Sequence, residues 1–217
     1  MDVVYLIKRS RNNEELRFSL RSLKHLPHGR VWIVGHTHRW LTNVTHIPVE
    51  QNPGQKWQSQ VWNLQAACQH PDVSERFVMF NDDFFVMKPV SEVPVLHGGP
   101  MSALVKQGKA EWRHRFRETF EHCGPDALTY DGIHTPMTFD KERLTQVLAD
   151  IGDKMLFRSV YGNRYRVGGT FTTNTKVSGE EQPPDRTLLS TSDRSFKHYP
   201  VGQHIRRQFP EPSPYEQ

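Results

Sequence analysis

Cysteine is scarce in this chain of 217 residues, which contains only Cys68 and Cys123. Two cysteines make no disulfide framework and exclude a zinc finger built on thiolates, so we expect reduced thiols. No apolar run approaches the roughly 18–20 residues that a membrane-spanning helix needs. The N-terminus also has no basic segment followed by an apolar signal core, because a strand-like run begins at once. These absences predict a cytoplasmic protein.

A continuous basic stripe is absent too, although the net charge is +4 and the pI is about 9.1. The basic residues fall in short scattered groups, at 8–11, 113–117 and 206–207. No helix-turn-helix or RRM-type signature accompanies them. We therefore favour a small phosphorylated ligand over nucleic acid as the anionic partner.

Hydrophobic periodicity predicts alternating strands and helices in the first 90 residues. Continuous apolar, β-branched runs predict buried strands at 3–7, 31–35 and 77–80, with a shorter strand at 44–49. Asn12 and Glu15 have the spacing of a helix start, and that helix is expected to end before Pro27. A second helix is predicted over 57–68, after the turn signal Asn52-Pro53-Gly54. This order predicts a mainly parallel α/β sheet.

The pattern is less regular beyond residue 90. We predict a helix over about 111–122 and a second helix, capped by Asp140, that carries apolar residues up to Ile151. Short strands are predicted at 156–160 and 165–171. From residue 178 the chain is rich in Pro, Ser, Asp and Arg, which predicts mostly loops that wrap over the site.

Polar residues interrupt the most hydrophobic run of the chain, RFVMFNDDFFVMKP at 76–89. Buried carboxylates cost several kcal/mol unless a cation or hydrogen-bond donors meet them. Asn81, Asp82 and Asp83 follow a predicted strand, and ligands of open α/β sheets bind at the carboxyl ends of strands. Adjacent carboxylates there predict Mg²⁺ or Mn²⁺ bound with a diphosphate. The alternative is an Asx-type turn, which needs no such apolar flanks.

Two further residues are candidates for the functional site, but their local sequence alone does not indicate a function. His134 precedes Thr135-Pro136 in DGIHTPMTFDKERL, so we expect it on a loop, where a side chain can face a cleft. Arg158 lies in LFRSVYGN. Taken alone, a loop histidine is more often structural, and such an arginine more often lies at the surface or in an ion pair.

The support is a resemblance to the Stealth family of hexose-1-phosphate transferases. The matching segments, in order, are DVVYLI, NNEELRFSLRSLKHL with RVWIVGHTHRWL, SERFVMFNDDFFVMKPV, HTPMTFDKERLTQVL and LFRS. They cover about residues 2–90 and 134–160, and the ordered combination is specific where each segment alone is weak. The chain is also similar to short bacteriophage proteins labelled glycosyltransferase, for which the compartment would be the host cytoplasm.

The resemblance implies a GT-A-like fold with the site at 81–83. Asp83 matches the family's acidic catalytic position, with Asp82 beside it, and His134 matches the histidine of its H-x-P motif. We expect His134 to act as general acid or base. The predicted diphosphate contacts are Arg9, Arg17, Asn81 and Arg158. The predicted metal ligands are Asp82, Asp83 and His198, with His204 as the alternative histidine.

The sequence departs from the family at two acids. After the first strand it has Ile7-Lys8-Arg9-Ser10 where the family carries W-V-D-G, and no acid is evident at 62–65, in the helix before NDD. Sugar transfer and sugar-phosphate transfer therefore both stay open.

We expect one domain over 1–217, with an α/β fold whose mainly parallel, Rossmann-like sheet is flanked by helices. Residues 1–90 would form the nucleotide-sugar-binding half, 91–177 the acceptor-side half, and 178–217 the loop-rich tail. The expected partners are a donor such as a UDP-sugar and a carbohydrate or protein acceptor. The alternative function is a non-catalytic protein that binds nucleic acid or phosphate through its basic surface.

Overall fold

A computed structural model describes residues 1–51, 54–104 and 110–217 of the chain. The strands are β1 (Asp2–Ile7), β2 (Val31–Gly35), β3 (Thr45–Pro48), β4 (Arg76–Asn81), β5 (Phe84–Val86), β6 (Leu96–His97), β7 (Met137–Asp140), β8 (Thr170–Phe171), β9 (Lys176–Val177) and β10 (Leu188–Thr191). The helices are α1 (Glu14–Ser22), α2 (Lys56–Gln69), α3 (Ala110–Cys123), α4 (Lys141–Ile151), α5 (Phe157–Arg164), α6 (Asp193–His198) and α7 (Pro200–Gln208). Short 3₁₀ turns cover Leu23–His25 and Met101–Ala103.

The central sheet has five strands in the order β3-β2-β1-β4-β7. β3, β2, β1 and β4 are parallel, and β7 runs antiparallel to β4 at the edge. This arrangement confirms the predicted mainly parallel α/β fold. Because β7 comes from 137–140, the segments 1–90 and 91–177 share one sheet.

Both faces of β1 are buried, as a parallel sheet covered by helices requires. Successive side chains of a strand point to opposite faces, so Val4 and Tyr5 enter different cores. Val4 belongs to the core that contains side chains of α2, α4 and α5. Tyr5 belongs to the core that contains Leu16 and Leu20 of α1. The strand periodicity of the sequence thus accounts for helices on both faces.

The helix starts are set by local capping. The side chain of Asn13, and not of the predicted Asn12, caps α1 by accepting the backbone N–H of Leu16 at 3.1 Å. Asp140 caps α4 as predicted, accepting the N–H of Arg143 at 3.0 Å. The predicted turn signal at 52–54 lies mostly outside the described residues.

The predicted strand at 156–160 is wrong, because this segment enters α5. Phe157, Val160 and Tyr161 are buried and have the i, i+3, i+4 spacing of one helix face, and two of them contact Phe139. Short apolar runs of this kind do not distinguish a strand from a helix. Of the predicted strand at 165–171, only Thr170–Phe171 is a strand.

The C-terminal segment is also more ordered than predicted. Besides loops, it contains β10, α6 and α7. Ser192 and Ser195 form a capping box that starts α6. Phe196, Val201 and Ile205 are buried in a common cluster with Phe85. The apolar residues are too widely spaced within a polar sequence to stand out, yet they suffice to dock two short helices.

No helix in the described ranges is both long enough and apolar enough to cross a membrane.

The last residues of the chain are fastened to α1 by Glu216, whose side chain is 3% exposed. Arg21 Nε donates to it at 2.9 Å and Arg17 Nη1 at 3.1 Å. Burial alone would raise the pKa of this carboxyl, but hydrogen bonds from Arg21 and Ser213 outweigh burial and lower the pKa to about 2. Glu216 therefore stabilises the folded state in its charged form.

Glu216→Gln is expected to lower the free energy of unfolding at pH 7 by on the order of 2 kcal/mol. The pKa of Glu216 is lower in the folded state than its ordinary value of 4.5. Its charged form therefore contributes its full stabilisation above pH 4.5, and this contribution is lost as the pH falls toward 2. Urea unfolding of both proteins should therefore give a difference that shrinks below pH 4.5. Exposed Glu211→Gln is the control. If the two proteins differed in free energy of unfolding by the same amount at every pH, the charge of Glu216 would not be the cause.

Candidate active site

The candidate site lies at the carboxyl end of the central strand β4. Asp82 and Asp83 form the turn between β4 and β5, next to Asn81, which pairs with Leu6 of β1. All three residues at 81–83 are partly buried. The position predicted from the sequence is thus where the structure places them. The two carboxylates have different hydrogen-bond partners.

Asp82 faces the start of α1. Its Oδ2 accepts a hydrogen bond from Nδ2 of Asn13 at 2.6 Å, and Asn13 uses its own oxygen to cap the helix. Burial and the neighbouring charge of Asp83 raise the pKa of Asp82 to about 6. The hydrogen bond from Asn13 and the positive charge of Lys8 favour the charged form of Asp82, but they do not outweigh burial and Asp83.

Glu15 adds a third carboxyl group to this region. Burial, together with the charges of Asp83 and Asp82, raises its pKa to about 8, although Thr191 Oγ1 donates a hydrogen bond to it. At neutral pH Glu15 therefore holds a proton for most of the time. Because Glu15 is mostly protonated, the negative charge in this region comes from Asp82 and Asp83.

Asp83 is met by a cation. Its Oδ2 accepts from Nζ of Lys176 at 2.8 Å and from Oγ of Ser190 at 3.1 Å. The small sheet β5-β10-β9 fixes both partners, because Ser190 pairs with Lys176 on one side and with Phe84 on the other. The side chains of Lys176 and Asp83 are 24% and 15% exposed, so this ion pair lines an accessible surface.

His134 lies close to this ion pair. Its φ of 53° is left-handed, a conformation in which histidine is among the better-tolerated residues. Thr175 Oγ1 donates to its carbonyl at 2.7 Å. Burial and then the positive charge of Lys176 lower the pKa of the imidazole, so the ring is neutral at pH 7.

The tautomer of His134 follows from its neighbours. Asn174 Oδ1 accepts the backbone N–H of Lys176 at 2.9 Å, which identifies that atom as the amide oxygen. The same oxygen lies 2.9 Å from His134 Nδ1. Since an oxygen acceptor requires a donor, Nδ1 carries the proton and Nε2 keeps the basic lone pair.

Arg158 supports the loop of His134 from inside the protein. It is 6% exposed, and its Nη2 donates to the carbonyl of Thr135 at 2.7 Å. Burial lowers its pKa, against the opposing charge of Asp131. The structure thus shows Arg158 as a support for the residue after His134, and the phosphate contact stays a prediction.

The other predicted ligands are more scattered. Arg9 is exposed just beyond the carboxyl end of β1, with its backbone N–H bound to Gln51 Oε1 at 3.0 Å. Arg17 pairs with Glu216 and lies over the ring of Trp40 at 4.0 Å, so it fastens the tail. His198 is exposed at the end of α6, and His204 lies on α7.

The predicted metal site is not assembled as a group of three ligands. Within 1–51, 54–104 and 110–217, no three His, Cys, Asp or Glu residues have the geometry of a metal site. Asp82, Asp83 and His198 therefore do not converge, and neither do the two aspartates with His204. Oδ2 of Asp82 and Oδ2 of Asp83 bind different partners, an amide and an ammonium. Within the described residues, Asp82 and Asp83 would leave the other ligands of a divalent cation to phosphate oxygens and water, and the metal stays a prediction.

Sequence reasoning missed several residues that contact the site. Asn13 and Glu15 carry a signal, because they belong to the recognised helix start. Lys176, Ser190 and Asn174 carry none, since no motif surrounds them.

No family model and no curated protein matches the chain. Among solved structures, the chain is similar to the crystal structure of an active-site mutant of LgtC, a glycosyltransferase of the GT-A type. The TM-score is 0.52 at 9% sequence identity, and the alignment covers 96% of this chain and 94% of that chain. At this identity the similarity shows the fold, which is GT-A-like. The Stealth family stays a prediction.

Proposed function

We propose that this protein is a transferase that uses a nucleotide sugar. It moves a sugar or a sugar-1-phosphate from a nucleoside diphosphate sugar, such as a UDP-sugar, to a hydroxyl group of a carbohydrate or protein acceptor. The observation that supports this most is the position of Asp82 and Asp83 at the carboxyl end of β4 in a GT-A-like fold, with His134 close by. Ligands of α/β sheets bind at this edge.

His134 is the proposed general base. Its neutral ring presents Nε2 as the basic nitrogen, and the Asn174 contact fixes the ring plane. Nε2 takes the proton of the acceptor hydroxyl as its oxygen attacks the anomeric carbon or the sugar-linked phosphorus. Positioning and charge stabilisation supply the rest of the rate, as is usual for transfer from a diphosphate.

The departing nucleotide gains negative charge, which a cation must stabilise. One candidate source is the Mg²⁺ or Mn²⁺ predicted from the sequence, which Asp82 and Asp83 would hold. Because the described residues supply no third protein ligand, such an ion would depend on phosphate oxygens and water for its remaining ligands.

A thermal-shift screen of nucleotide sugars, with and without Mg²⁺ or Mn²⁺, tests the proposal. A ligand at 100 times its Kd stabilises by about 2.7 kcal/mol, so a cognate nucleotide sugar should raise Tm by roughly 5–10 °C. The shift should be lost in Asp82→Ala and retained in Asp185→Asn, which changes an exposed carboxylate that pairs with Lys88.

The opposite outcome would support the non-catalytic alternative. No shift with any nucleotide sugar, together with DNA binding that weakens steeply as salt is raised, would contradict the transferase.

A further inference from the structure

We infer that Lys176 is a built-in cation that takes the place of a divalent metal at Asp83, and that it binds the phosphate that departs from the donor. The inference deepens the proposed function and rests on it for the identity of the ligand. Nζ of Lys176 and Oδ2 of Asp83 form an ion pair at 2.8 Å. Lys176 thus supplies the positive charge that stabilises the leaving phosphate.

The position of Lys176 is fixed by the fold. It lies on β9 and pairs with Ser190 of β10, whose other neighbour is Phe84, directly after Asp83. Its backbone N–H is held by Asn174 Oδ1 at 2.9 Å. A lysine anchored this way places its ammonium against Asp83 without the freedom of a surface loop. Such preorganised charge is what transition-state stabilisation requires.

The ion pair is also accessible enough to take a ligand. The side chain of Lys176 is 24% exposed, and an ammonium has three N–H donors, of which Asp83 uses one. A phosphate oxygen can therefore bind the ammonium while Asp83 holds it. The surface pair Lys88–Asp185 has the same 2.8 Å separation, but its side chains are 47% and 88% exposed. Burial thus distinguishes the site pair from an ordinary surface pair.

A divalent cation would compete with Lys176 for the same oxygen. Oδ2 of Asp83 already accepts two hydrogen bonds, and a metal bound there would lie close to the positive ammonium and be repelled. Asp82 has one oxygen engaged as well, since its Oδ2 accepts from Asn13. Removing the lysine charge should therefore make the aspartate pair a better metal site.

The transfer step balances with these groups alone. The acceptor oxygen forms a bond to the anomeric carbon or to the sugar-linked phosphorus. The bond from that atom to the leaving phosphate oxygen breaks, and its electron pair stays on the leaving oxygen, which Lys176 stabilises through an N–H donor. The acceptor proton goes to His134 Nε2.

The first test is Mn²⁺ binding to the ligand-free protein, measured by electron paramagnetic resonance. The wild type should bind Mn²⁺ weakly, and Lys176→Met should bind it at least about tenfold more tightly, because Asp83 loses its cation next to the charge of Asp82. Lys176→Arg, which keeps the charge, and Lys88→Met, which breaks the surface pair, should both match the wild type. Tight binding by the wild type, or no gain in Lys176→Met, would overturn the inference.

The second test is turnover of the nucleotide sugar found by the thermal-shift screen. In EDTA the wild type should keep its rate within about twofold, while Lys176→Met should lose at least about a hundredfold and regain part of it with Mn²⁺. Loss of wild-type activity in EDTA would overturn the inference and leave the transferase standing. If no nucleotide sugar turns over, the proposed function fails, and Mn²⁺ binding still decides the metal question. The wild-type measurements hold even if Lys176→Met does not fold.

Discussion

Asp83→Asn is expected to lower turnover at least about a hundredfold while the protein stays folded. The amide keeps the size of the side chain, and its oxygen still accepts from Lys176 and Ser190. The substitution removes the negative charge that holds the ammonium of Lys176 in place. Product formation from the nucleotide sugar, measured by mass spectrometry, gives the rate, and circular dichroism checks the fold.

Asp185→Asn is the matched control, because it neutralises an exposed aspartate that also pairs with a lysine at 2.8 Å. Its turnover should equal that of the wild type. A folded Asp83→Asn protein with activity within about threefold of the wild type would remove Asp83 from the reaction. If Asp83→Asn did not fold, the ion pair between Asp83 and Lys176 would instead have a structural role.

His134→Asn is expected to lower kcat/KM by about a hundredfold to ten-thousandfold, the usual contribution of a general base. Asparagine tolerates the left-handed backbone of this position, so the loop should keep its conformation. In the wild type, kcat/KM should fall as the pH drops, because protonation removes the base. Since burial and Lys176 lower the pKa of His134, this decline should lie below pH 6.5.

The pH profile separates a base from a structural residue. His134→Asn should abolish the acidic decline. Asn174→Asp places a negative charge at Nδ1, so it should raise the pKa of His134 and move the decline to higher pH. A profile unchanged in both variants would return His134 to a structural role in its loop.

Local patterns in the sequence determined much of the central sheet. β1, β2 and β4 are continuous apolar runs, α2 repeats apolar residues at helical spacing, and Asp140 caps α4 where the sequence predicted a cap. These features depend on neighbours within a few residues, which is why periodicity and capping chemistry reveal them. The same reasoning placed Asp82 and Asp83 at a strand end, because charged residues directly after a buried strand can lie only at its carboxyl edge.

The surroundings of those carboxylates were decided by the tertiary structure. Lys176 lies 93 residues from Asp83 in sequence, and Ser190 lies 107 residues away. Only the pairing of β9, β10 and β5 brings them together, and strands of two to four residues leave little periodic signal. Arg158 illustrates the same limit, since its burial beneath Thr135 depends on the packing of α5 and not on its neighbours in LFRSVYGN. The sequence determined where the two carboxylates lie, and strand pairing across 93 residues decided which cation binds Asp83.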